Sequence, residues 1–151
     1  MKRAIYIIFV LSILITIYCF SSQSAYESNR LSKGIINNSV EIYKSISHKD
    51  INNARVINKA NYVLRKGAHF VEFLMLGIAI YLLINTTNIK NKIFVSILIC
   101  FSFACFDEAH QLMNGMRDPR IIDVFIDTCG SLTAFILLYR FGVLEKKHIK
   151  K

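Results

Sequence analysis

With 151 residues the chain has room for one domain, and its 54% apolar content and mean hydropathy of +0.41 exclude an ordinary soluble fold in favour of a helical membrane protein. The net charge of +9 would suit nucleic acid in a soluble domain, but here the basic residues border apolar runs, at Lys2 and Arg3, at Lys90 and Lys92, and through residues 140–151. That is a topology signal with anionic headgroups as counter-charge, so no nucleic-acid partner is expected.

Residues 4–20 are the first apolar run. About 20 residues at about 1.5 Å each cross a hydrocarbon core of about 30 Å, so this run predicts a membrane span. A cleaved signal peptide, with small residues at 22–25 as its cleavage site, is the rival reading. The run is longer than the usual ~7–15 apolar residues of such peptides, and a retained anchor is expected.

Residues 21–61 are polar, rich in Asn and Ser. SSQSAYESNRLSKG reads as a turn region in which Ser28 or Ser32 caps a short helix. Ile42, Tyr43 and Ile46, then Ala54, Val56, Ile57 and Ala60, recur at helical spacing. They predict one or two amphipathic helices lying in the membrane interface, with Lys44, Lys49, Arg55 and Lys59 toward headgroups.

The second span is expected over residues 62–84 and opens with LRKGAHFVEF. At about 100° per residue, Arg65, His69 and Glu72 fall within a sector of about 60° and can face one partner. A polar turn leads to a third span over residues 93–112. Its strictly apolar part ends at Phe106, too short to cross, so residues 107–112 must continue the same helix. This carries Asp107, Glu108, His110 and Gln111 to membrane depth, with Cys100, Phe103, Asp107, His110 and Gln111 on one face. Residues 114–119 form a hairpin, in which Asp118 caps and Pro119 opens the fourth span, 119–139. There Asp123, Asp127, Gly130 and Ala134 share a stripe whose small residues permit close helix contact. Cys19, Cys100, Cys105 and Cys129 lie singly in apolar runs, which predicts buried thiols and no zinc site.

The expected fold is an all-α membrane protein, a four-transmembrane-helix bundle with amphipathic interfacial helices between spans 1 and 2. Successive spans are antiparallel, so the start of the second, the end of the third and the start of the fourth meet at one membrane surface. Each of those tips carries ionisable residues. An ionised side chain at the bilayer centre costs roughly 2.5–3.5 kcal/mol on insertion scales, so such a concentration marks a site. The short loops richest in Lys and Arg point to cytoplasmic N- and C-termini and an outward cluster, in the cell membrane.

These residues resemble the VanZ-like family of small membrane proteins. RKGAHFVEF is similar to its R-K-x-x-H-x-x-E-[YF] element. DEAHQL, Arg117, Arg120 and DVFIDTCG are similar to its D-E-x-H-Q…R…D-V…[ND]…G element. FSSQ, with Ser28 and Ser32, looks like a weaker third motif. The departures are Phe73 for a frequent Tyr, Met113 for a frequent Phe, and Asn114-Gly115-Met116 for a usual Pro-Gly turn; the charged positions are intact. The resemblance implies an envelope location and tolerance of glycopeptides, teicoplanin in particular, without naming a reaction.

The candidate ligand-binding set is Arg65, His69, Glu72, Asp107, Glu108, His110, Gln111, Arg117, Arg120, Asp123 and Asp127. Three readings stay open for it. As structure, the arginines neutralise Glu72, Asp107 and Asp123 between helices, and removing one member of a buried pair is costly. As a binding site, the arginines grip a lipid phosphate. As catalysis, Asp107, Glu108, His69 and His110 are the acid/base candidates of a small hydrolase or transferase acting on an anionic lipid or cell-wall precursor. Acids outnumber Lys and Arg in the cluster, which favours protonated histidines or a held proton or cation over pure structure. Ser22 or Ser24 as a nucleophile is a weaker reading, since Ser-rich turns commonly follow a span. No metal and no cofactor are expected. The expected partners are membrane lipids, a polyprenyl-linked precursor or a lipoglycopeptide.

Overall fold

The structure is a computed structural model that describes residues 1–47, 54–113 and 121–142. Its helices are α1 (Lys2–Ser21), α2 (Ala25–Ser47), α3 (Ala54–Asn85), α4 (Lys92–Met113) and α5 (Ile121–Arg140). Among them α1, α3, α4 and α5 are long and apolar enough to cross a membrane. The chain is therefore an all-α, multi-pass membrane protein, a bundle of four spans with an amphipathic helix between the first two.

α2 begins at a capping box. The Ser24 hydroxyl oxygen accepts the Glu27 amide at 3.2 Å, and the Ser24 amide donates to Glu27 Oε2 at 3.1 Å. The cap thus precedes the expected Ser28 or Ser32, because only Ser24 has a glutamate three residues on to return the bond. Ser32 lies inside α2, its hydroxyl donating to the Ser28 carbonyl at 2.7 Å.

The segment from Ala54 is not a separate interfacial helix. It runs without a break into the second span as α3, a 32-residue helix. No Gly or Pro precedes Gly67 in it to end the helix. At about 1.5 Å per residue α3 is about 48 Å long, so its first turns project beyond a hydrocarbon core of about 30 Å. Lys49 and the hairpin at 114–119, with Asp118 and Pro119, lie outside the described residues.

α3 touches every other helix, and its most extensive interface is with α5. Its buried residues Phe73, Leu76, Ile80 and Ile84 recur at helical spacing and form the middle of the core with Cys100 and Ala104 of α4 and Phe135 and Leu138 of α5. Tyr81 meets Phe135 edge-on, ring centroids 6.4 Å apart. Small residues set the α3–α5 spacing. A Cβ on Gly77 would lie 2.9 Å from the Ala134 Cβ, and one on Gly130 would overlap the Phe70 carbonyl oxygen.

The α3–α4 turn is closed by Lys92 Nζ donating to Asn85 Oδ1 at 2.9 Å. Asn91 there has a φ of 56°, a left-handed conformation that asparagine tolerates. α4 continues through residues 107–112, as its length requires. Of the thiols only Cys100 is buried; Cys19, Cys105 and Cys129 are exposed. The expectation of four buried thiols fails because the outward faces of a membrane bundle are apolar too.

Candidate functional site

The ionisable residues meet where the middle of α3, the last turns of α4 and the first turns of α5 come together. Asp127 on α5 is 1% exposed. It is one turn before Gly130, and the close approach at that glycine presses it toward His69, whose Nδ1 lies 3.8 Å from Asp127 Oδ1. From α4 comes Asp107, 8% exposed, with Oδ2 accepting from the Gln111 side-chain amide at 2.9 Å. That pair is an i,i+4 contact on one helix face, and it orients the carboxylate. One ligand atom from each of His69, Asp107 and Asp127 lies within 4.8 Å of the other two.

One turn toward the tips, Lys66 of α3 forms an ion pair with Asp123 of α5. The carboxylates of Asp107, Asp123, Glu108 and Glu72 all act electrostatically on Asp127. Two like charges about 4 Å apart repel by roughly 4 kcal/mol at an effective dielectric near 20, so this group of acids requires positive charge or protons among them.

Arg65 donates to Asn29 Oδ1 of α2 at 2.9 Å, and the Asn61 amide shares that acceptor at 3.0 Å. Arg65, His69 and Glu72 share a helix face; along the about 10 Å of axis between Arg65 and Glu72, Arg65 reaches Asn29 of α2 and His69 faces Asp127 of α5. Glu108 is buried beside Asp107. Arg117 and Arg120 lie outside the described residues.

His110 faces α1, where the Tyr18 ring is 5.0 Å away and tilted by 49°. Beside this contact a cleft of about 310 Å³ opens between α1, α3 and α4. Its walls are Leu14, Ile17, Tyr18, Phe73, Phe103 and Phe106, and Asp107 and His110 supply its polar groups. By helix register, Asp107 and His110 are one and two turns nearer the α4 tip than Phe103, so the apolar walls lead up to the ionisable cluster.

The serines after α1 carry no nucleophile geometry. Ser24 is committed to the α2 cap, and the buried Ser22 Oγ has no hydrogen-bond partner among the described residues.

A family model described as VanZ/LLP1 matches residues 5–143. The chain belongs to the VanZ/LLP1 family. No curated protein and no solved structure matches it. The family match takes in the four spans, α2 and the acidic cluster.

Sequence reasoning missed several groups that complete this VanZ/LLP1 site. Nothing in the first apolar run marks Tyr18, yet its place on the last turn of α1 puts it at the level of the cluster, beside His110. Asn29 and Asn61 passed as members of an Asn-rich linker. Lys66 adjoins Arg65 in sequence, but its partner Asp123 is set by the α3–α5 contact, which no spacing within α3 reveals. Chemically the arrangement offers carboxylates to bind a cation or polyol, histidines to move a proton, and an apolar wall to hold a chain.

Proposed function

We propose that this VanZ/LLP1 protein sits in the cell membrane with both termini cytoplasmic, and binds an amphiphile at the outer ends of its spans. The apolar chain of a lipid, a polyprenyl-linked precursor or a lipoglycopeptide occupies the cleft between α1, α3 and α4. Its polar head meets Asp107, His110 and the carboxylates behind them. The protein thereby lowers the access of a glycopeptide such as teicoplanin to its target. The cleft itself carries this reading, because its apolar walls lead up to Asp107 and His110. Burying an apolar chain is worth about 0.8 kcal/mol per CH₂, while a headgroup selects by its few polar contacts.

Expression of the chain in a susceptible host tests this. The inhibitory concentration of teicoplanin, which carries an acyl chain, is expected to rise more than that of vancomycin, which has none. Equal shifts for the two drugs remove the lipid element from the proposal.

A second reading, a small intramembrane hydrolase or transferase acting on an anionic lipid or cell-wall precursor, is favoured by the convergence of His69, Asp107 and Asp127. In it Asp107 or Glu108 serves as base. Lipid extracts of cells with the wild-type chain and with Asp107→Asn then differ in at least one species, and identical extracts exclude the reaction.

A further inference from the structure

We propose that His69, Asp107 and Asp127 hold a divalent cation of the first transition row. This goes beyond amphiphile binding and does not require it. The three residues come from α3, α4 and α5, and one ligand atom of each lies within 4.8 Å of the other two. Donors around an ion with bonds of about 2.1 Å sit roughly 3 to 3.5 Å apart, so the three close onto it with side-chain movements of about an ångström.

The independent observation that points to a cation is Asp127. The residue is 1% exposed, and its Oδ1 is buried with no hydrogen-bond donor among the described residues. The His69 Nδ1 that it faces is 3.8 Å away, beyond hydrogen-bond length. The carboxylates of Asp107, Asp123, Glu108 and Glu72 act on the same spot, while Lys66 is engaged with Asp123. A buried, unsatisfied carboxylate oxygen aimed at a second carboxylate and an imidazole is the geometry that an ion completes.

The donor set narrows the choice of metal. Carboxylates suit magnesium, calcium and manganese, whereas imidazole suits zinc, iron and other later metals, so one imidazole with two carboxylates fits Mn²⁺ or Zn²⁺ best. The support expected around such a site is present: the Gln111 amide holds Asp107, and the Gly130 contact fixes the level of Asp127. Three protein ligands leave further positions for water or an oxygen of a bound headgroup. The ion ties together α3, α4 and α5 where they converge on the site.

The test uses the full chain purified in detergent, stripped with a chelator, and titrated with MnCl₂ while free Mn²⁺ is followed by electron paramagnetic resonance. The wild-type chain is expected to take up one Mn²⁺, and its melting temperature to rise with added Mn²⁺ or Zn²⁺. Separate His69→Asn, Asp107→Asn and Asp127→Asn substitutions are each expected to weaken uptake at least tenfold. Glu41→Gln, which removes an exposed carboxylate of α2, leaves it unchanged. Loss of uptake counts only in variants that keep wild-type helicity, and His69→Asn, which leaves every carboxylate in place, supplies one if Asp127→Asn unfolds. No uptake and no thermal shift in the wild type overturn the proposal, as does wild-type affinity in His69→Asn. Because no lipid or drug enters these measurements, they stand or fall apart from the teicoplanin comparison.

Discussion

Gly130 of α5 packs on the Phe70 carbonyl of α3 so closely that any side chain at 130 would overlap that oxygen. His69 is the neighbour of Phe70, and Asp127 lies one turn before Gly130, so this backbone contact is what brings the two together. Lower in the same interface Gly77 meets Ala134 and Ser131 in a similar way. In lipid, where apolar surface gains nothing from leaving its surroundings, such close packing is a principal source of helix association. The acidic group is therefore assembled by glycine.

Replacing Gly130 with alanine is expected to destabilise the bundle by about 1–3 kcal/mol, the usual cost of overpacking, since the atom in the way is backbone and cannot rotate aside. Gly34→Ala on the exposed face of α2, where nothing lies within 4 Å, is expected to raise stability by up to about 1 kcal/mol through lost unfolded-state freedom. Unfolding midpoints in detergent distinguish the two. A neutral Gly130→Ala would mean that the helices are farther apart than described.

The ion pair between Lys66 and Asp123 has both side chains partly exposed, at 18% and 16%, so its own contribution is modest. Reversal of either charge alone, Lys66→Asp or Asp123→Lys, is expected to lower stability by roughly 1 kcal/mol or more by placing like charges together. The double exchange should recover at least half of that loss in a double-mutant cycle. Additive losses would show that the two residues do not meet.

Asn29 accepts from both Asn61 and Arg65, and so fastens the start of α2 to α3. Asn29→Ala removes an acceptor worth about 1.5 kcal/mol or more when a charged donor is involved, equivalent to roughly tenfold in an opening equilibrium. Amide exchange of α2 is expected to quicken by about that factor while the four spans keep their protection. Unchanged exchange would show that α2 is held by its apolar face alone.

Leu14 lines the cleft from α1 and is only partly buried. Leu14→Trp should fill part of the volume without disturbing the α3–α5 interface. Labelling of the chain by a lipid carrying a photoreactive group on its acyl tail is expected to fall several-fold, with the melting temperature little changed. Equal labelling would place the bound chain elsewhere on the bundle.

Much of the architecture was legible along the chain. Span length and hydropathy are sums over consecutive residues, so the four membrane helices follow from composition alone, and α4 had to include Asp107 because its apolar part is too short to cross. Antiparallel succession then requires the tips of α3, α4 and α5 to share one end, which is why the acids could be grouped before any contact was known. The Ser24–Glu27 cap carries an S-x-x-E signature, although the expected cap was Ser28 or Ser32.

What only the tertiary structure decided is pairing: His69 with Asp127, Lys66 with Asp123, Arg65 with Asn29, Tyr18 with His110. Periodicity marks a face of a helix but does not say which neighbour covers it. In a membrane bundle even that mark is weak, because lipid-facing and bundle-facing sides are both apolar, as the outward Cys19, Cys105 and Cys129 show. The partners are chosen by how near two backbones can come, and that distance is set between helices, at Gly77 and Gly130, by atoms remote from one another in the chain.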